Sequence, residues 1–123
     1  MATIELTKDN FAQTIAGNSM VIVDFWAPWC APCRSFAPIF DAASKKYPEI
    51  IFCKVNTDEE QELAANFQIR SIPTLMMLRE QVILFSQPGA LHASALDSII
   101  SQAQAVDMAR VHEEIKHEQP VSL

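Results

Sequence analysis

Short apolar runs alternate along this chain with segments whose apolar residues recur at helical spacing, the pattern of an α/β domain. Residues 4–6 predict a short edge strand, and Thr7 is placed to cap a helix carrying Phe11 and Ile15. Met20–Trp26 is apolar at every position but Asp24, which predicts a strand buried on both faces. The next helix opens at or beside Cys30 and runs to about Lys46, with Phe36, Ile39, Phe40 and Ala43 on its apolar stripe. Pro38 falls inside it and is expected to kink it. Residues 50–55 predict a strand, and Thr57 followed by Glu60 reads as a capping box for a helix bearing Leu63, Ala64 and Phe67. Ile72-Pro73-Thr74 leads into a strand ending at Leu78, residues 82–86 pair back on it as a hairpin, and Pro88-Gly89 turns the chain. A last helix begins near Ser94 and carries Leu96, Ile99, Ile100 and Ala103. The order is βαβαβαββα, a central mixed sheet with helices on both faces.

Beyond this helix, Met108, Val111 and Ile115 form a second apolar stripe. At about 100° per residue it points roughly 120° away from the first. Either the chain bends near Val106-Asp107 or the second stripe faces something outside the domain. Residues 1–106 are therefore assigned to one domain and 107–123 to a C-terminal extension, helical or disordered.

Composition narrows the field. A chain of 123 residues that is 50% hydrophobic suits one domain with one core, and two glycines argue against a linker-rich or repetitive protein. No apolar run approaches the roughly 20 residues of a spanning helix. The start, Met-Ala-Thr-Ile-Glu-Leu-Thr-Lys-Asp, has neither a basic n-region nor an apolar h-region, so a cytoplasmic address is expected. The net charge of −6 argues against nucleic acid or an anionic membrane as partner. Three cysteines are too few for a disulfide scaffold. A closed zinc site wants four ligands, whereas one close pair, a lone Cys53 and the distant His92, His112 and His117 offer no such set, so no metal is expected.

The chemistry is concentrated at Cys30 and Cys33. A Cys-x-x-Cys at a strand-to-helix junction puts both sulfurs within one helical turn, with Cα atoms roughly 5–6 Å apart, close enough for a disulfide. The first cysteine then meets the unpaired N–H groups and positive dipole end of the helix, which favour a thiolate, the nucleophile of disulfide exchange. Cys33, one turn inward, is expected to be buried and able to attack the mixed disulfide that an exposed Cys30 makes. Asp24 stands among apolar neighbours on the strand feeding this pair, where a carboxylate costs several kcal/mol unless paired or protonated. Two readings follow: a structural ion pair with Lys54, or a proton acceptor for Cys33 tuned by Lys54. Trp29, directly before Cys30, is expected to shield and position the site. Cys53 and the Met76-Met77 pair read as core packing.

These residues also spell a family. Val23-Asp24-Phe25-Trp26-Ala27-Pro28-Trp29-Cys30-Ala31-Pro32-Cys33-Arg34 resembles the thioredoxin active-site block, and Lys54-Val55-Asn56, Ile69-Arg70-Ser71-Ile72-Pro73-Thr74 and Gly89-Ala90 follow in family order over roughly residues 3–105. The resemblance implies a thioredoxin fold and a thiol–disulfide oxidoreductase that reduces protein disulfides, with no cofactor beyond the redox-active Cys30–Cys33 disulfide. It implies a cis Pro73 facing the dithiol, and an Ile72 whose backbone receives an extended substrate segment. The docking surface would comprise Trp29, Ala31, Pro32, Ile72, Pro73, Gly89 and Ala90. Protein disulfide substrates and a recycling reductase such as thioredoxin reductase are the implied partners of a monomer. The chain departs from the family at Ala31-Pro32, where Gly-Pro is usual, at Ser71 and Pro88 beside the docking surface, and at Arg79-Glu80-Gln81, where the missing glycine implies an altered or looser turn. Two other functions stay open: an oxidase or isomerase in an oxidising compartment, and a binding subunit of a larger enzyme. The Ala-Pro dipeptide, without a histidine between the cysteines, argues against the first, and an intact dithiol with Asp24 and Lys54 argues against a purely structural second.

Overall fold

A computed structural model describes residues 3–118 of the chain. Five strands form one sheet in the order β1-β3-β2-β4-β5. β1 (Thr3–Glu5), β3 (Ile51–Asn56) and β2 (Met20–Trp26) run parallel, while β4 (Thr74–Arg79) and β5 (Val82–Pro88) complete the sheet antiparallel. The helices α1 (Phe11–Ala16), α2 (Ala31–Lys46) and α3 (Gln61–Asn66) separate the first four strands, and α4 (Ala93–Gln104) and α5 (Met108–Glu118) follow β5.

Strand alternation divides the core in two. Ile22, Phe52, Leu75 and Met77 meet Phe36 and Phe40 of α2 and Leu96 and Ile100 of α4 on one face. Val21, Val23, Phe25, Cys53, Val55 and Met76 meet Ile15 of α1 and Leu63 of α3 on the other. β2 lies at the centre of the sheet, covered on both sides, as its near-continuous apolar run predicts. Lys46 and the Tyr47 hydroxyl both bond Asp97, at 2.8 and 3.0 Å, tying the end of α2 to α4.

Three local expectations change. Thr7 does not cap α1, which starts later behind Asn10; Thr7 N–H instead donates to Asn10 Oδ1 at 2.8 Å in the turn before it. The Thr57–Glu60 capping box does not form: the Thr57 hydroxyl donates to the Trp26 carbonyl at 3.1 Å, and Glu60 Oε1 accepts from Lys8 N–H at 2.9 Å. The β4–β5 turn is altered but tight. Arg79 pairs directly with Val82, leaving a two-residue loop in which Glu80 and Gln81 take φ of 51° and 69°. Both signs match the turn type that suits strand twist, here without the usual Asn-Gly.

α4 ends at Gln104, and three residues separate it from α5, so the chain breaks where the two apolar stripes change direction. Arg79 Nη1 donates to the carbonyls of Ala103, Gln104 and Val106 at 3.0–3.1 Å, satisfying acceptors that a helix end leaves open. Asp107 starts α5, its Oδ1 accepting from Arg110 N–H at 3.2 Å. Met108 is buried, Val111 half-buried and Ile115 exposed. Residues 119–123 of the extension lie outside the described residues.

Candidate active site

β2 delivers the chain to a short loop, Ala27 to Trp29, that ends on the N-terminus of α2. Cys30 is the N-cap, extended at φ −88° and ψ 112°, and its Sγ accepts from Cys33 N–H at 3.2 Å. Ala31 and Pro32 fill the first two helical positions, where a proline's missing N–H costs nothing. Cys33 completes the first turn. The two sulfurs are joined in a disulfide, with Cα atoms 5.2 Å apart. Arg34 folds back over the loop and donates to the Pro28 carbonyl at 2.9 Å.

The opposite wall comes from the loop before β4. Ile72–Pro73 is cis, and the Ile72 carbonyl oxygen stands 3.7 Å from Cys30 Sγ. Pro73 is buried, and its carbonyl accepts from Gly89 N–H at 2.8 Å, bringing Gly89 and Ala90 to the same end of the sheet. Gly89 takes φ of 109°, a conformation that disfavours any side chain. Ala31, Pro32, Gly89 and Ala90 are exposed, Ile72 is half-buried, and Trp29 is 67% exposed. Trp29 is nonetheless held: its indole N–H lies 3.0 and 3.1 Å from the two carboxylate oxygens of Asp58. Exposure does not distinguish the cysteines as expected. In the disulfide state Cys30 is 5% and Cys33 3% accessible, because Ala27, Trp26 and Ile72 pack around both. What separates them is position, Cys30 at the cap and Cys33 inside the turn.

Asp24 is fully buried on the α2 face of the sheet, between Lys54 on β3 and Leu75 on β4 in register. Among the described residues neither of its carboxylate oxygens has a hydrogen-bond partner. Burial pushes its pKa up to about 7, against the opposing pull of Lys54. The ion pair with Lys54 does not form; the ammonium lies over the Trp26 ring, 4.7 Å from its centroid. Cys53 points into the other half of the core and burial pushes its thiol up to about 12, so it is inert packing. Asp58, Arg34 and Trp26 were not singled out by sequence reasoning. The signal for Trp26 was its place two residues after Asp24, on the same face of the strand.

With this geometry in view, comparison with known proteins is direct. The family model described as Thioredoxin matches residues 2–102. The chain is 48% identical over 118 residues to a protein named putative thioredoxin 2 from Streptomyces coelicolor, covering 96% of this chain and 88% of that one. The chain belongs to the thioredoxin family. It is 39% identical over 104 residues to a thioredoxin of Porphyra purpurea, covering 83% of this chain and 97% of that one. Among solved structures, a Plasmodium falciparum thioredoxin superposes with a TM-score of 0.76 at 35% identity, over 81% of this chain and 98% of that one. The mixed five-stranded sheet is the thioredoxin fold, and the chain is a thiol–disulfide oxidoreductase whose redox group is the Cys30–Cys33 disulfide. Its activity is that of a protein-disulfide reductase. The thioredoxin family match ends before α5, yet the alignment with the Streptomyces relative spans nearly the whole chain and so reaches into residues 107–123. Among the described residues no helix is long and apolar enough to cross a membrane, and no group of three or more His, Cys, Asp or Glu could hold a metal ion.

Proposed function

We propose that Cys30 is the attacking and Cys33 the resolving thiol in the reduction of protein disulfides, with Asp24 as the proton acceptor for Cys33. The Cys30 thiolate attacks one sulfur of the substrate disulfide, a mixed disulfide forms, and the first substrate thiolate leaves. Cys33 then gives its proton to the Asp24 carboxylate and attacks Cys30 Sγ, which expels the second substrate thiolate. The substrate gains two electrons, and the protein is left with the Cys30–Cys33 disulfide. A thioredoxin reductase restores the dithiol.

The observation that carries this reading is the N-cap position of Cys30, whose sulfur already accepts a backbone N–H from the first turn of α2. A thiolate there gains what the disulfide sulfur receives, and more. Asp24 supports the second step because a carboxyl with pKa about 7 is half ionised at neutral pH, well matched to accept a proton. Substrate docks on Trp29, Ala31, Pro32, Ile72, Pro73, Gly89 and Ala90, with the Ile72 backbone pairing to an extended segment. The protein works as a cytoplasmic monomer in the cell's dithiol electron transfer, with residues 1–106 as the catalytic unit. Lys54 tunes Asp24.

Trapping tests the assignment. Cys33→Ser should accumulate a mixed disulfide with a protein substrate through Cys30, and Cys30→Ser should accumulate none. Native alkylation of the reduced protein that modifies Cys33 or Cys53 faster than Cys30 would overturn it.

A further inference from the structure

Trp26 ends β2 two residues beyond Asp24, so strand alternation puts both side chains on the face that α2 covers. Lys54 stands directly across from Asp24 on β3. A buried carboxylate with no hydrogen-bond partner among the described residues is a strong attractor for a cation. Lys54 nevertheless places Nζ over the Trp26 ring at 4.7 Å, inside the roughly 6 Å range of a cation–π contact.

Trp26 is built to hold it there. Its carbonyl accepts from Thr57 N–H at 2.8 Å and from the Thr57 hydroxyl at 3.1 Å, which fixes the backbone at the end of the strand. Its half-buried ring packs on the cluster of Ala27, Cys30 and Cys33. With Lys54, Thr3, Ile4 and Glu5 it also lines a cavity of about 260 Å³. One ring therefore touches both the dithiol cluster and the cation that stands in register with Asp24.

We propose that Trp26 is a positioning residue for Lys54: its indole face keeps the ammonium out of contact with Asp24, so the proton-accepting strength of Asp24 is set by the Trp26–Lys54 contact. The inference rests on the reading of Asp24 as the acceptor for Cys33. A direct ion pair would keep Asp24 ionised to lower pH and make it a weaker base. Loss of Lys54 would do the reverse. The other charged groups facing this region are Glu5, opposite Lys54 on β1, and Asp41 of α2, which pairs with Lys45 at 3.4 Å. β4 contributes only Leu75 opposite Asp24, Asp97 of α4 is engaged by Lys46 and Tyr47, and Cys33 does not titrate while in the disulfide.

The test is an NMR titration of the Asp24 side-chain carboxyl carbon in the oxidised full-length protein. Trp26→Leu should lower its midpoint by about one pH unit as Lys54 reaches the carboxylate. Trp26→Phe, which keeps a weaker cation–π face and serves if the leucine variant does not fold, should lower it by less. Lys54→Met should raise the midpoint, and in its presence neither Trp26 substitution should move it further. A midpoint unchanged by the Trp26 substitutions, or shifted equally with and without Lys54, overturns the proposal. The catalytic reading fails separately: an Asp24→Asn variant with wild-type turnover would remove Asp24 from the reaction whatever the titration shows.

Discussion

Asp24 brings a carboxyl into the core with neither oxygen hydrogen-bonded among the described residues, which bears on both stability and rate. Its folded-state pKa of about 7 lies above the ordinary aspartate value of 3.8 that holds in the unfolded chain, so the folded protein holds this proton over a pH range in which the unfolded chain has released it. The cost is absent below about pH 4, grows as pH rises through 7, and is complete above it. The shift corresponds to roughly 4 kcal/mol at pH 8, less whatever an unpaired amide costs in its place. Asp24→Asn is therefore expected to raise the urea midpoint at pH 8, to lose that gain towards pH 4, and to slow disulfide reduction at neutral pH. Denaturation at the two pH values and steady-state turnover check all three. Asp24 was legible in the sequence because a single carboxylate among six apolar neighbours has few explanations. The accessibility of Cys30 was not, because Ile72, which covers it, arrives 42 residues later in the chain.

Elements were legible where hydrophobic period decides and illegible where one side chain chooses between acceptors. β2 and the apolar stripe of α2 follow from burial alone, and both run as the pattern predicts. The caps depend on competition. Thr57 could have bonded the start of α3, but the Trp26 carbonyl on the neighbouring strand takes its hydroxyl, and Lys8 takes Glu60. No local pattern contains either partner. The β4–β5 turn shows the same limit from the other side: pairing of Arg79 with Val82 enforces a two-residue loop, although the residues given to it are ordinary ones at positive φ. Gln81, at φ 69°, stands at the second position of that loop, where glycine is the usual residue. Gln81→Gly is expected to stabilise the protein by about 0.5–1 kcal/mol, the relieved strain exceeding glycine's extra entropy in the unfolded chain. A higher melting temperature with unchanged exchange kinetics is the result that checks it.

At the scale of the molecule, the dithiol and α5 sit on different supports. The reactive end of the sheet is assembled from the C-terminal end of β2, the start of α2 and the loop before β4. α5 is tethered instead at the β4–β5 turn, where Arg79 gathers the last carbonyls of α4, His112 meets Glu80, and Met108 is buried. Arg79 and Thr74 are the two ends of β4, and Thr74 follows the cis Pro73, so the two regions share one strand and occupy its opposite ends. The sheet holds that strand in place from β2 and β5 without help from α5. Deleting residues 107–123 is thus expected to leave exchange with a small generic disulfide within about twofold of the full chain. It should also lower the melting temperature, because the burial of Met108, worth about 1.5–3 kcal/mol, and the Glu80–His112 contact are lost. Retention of rate with loss of stability places α5 as a brace on the hairpin. If the truncated chain folds and exchange is abolished, α5 belongs to the catalytic unit and the boundary after residue 106 is wrong.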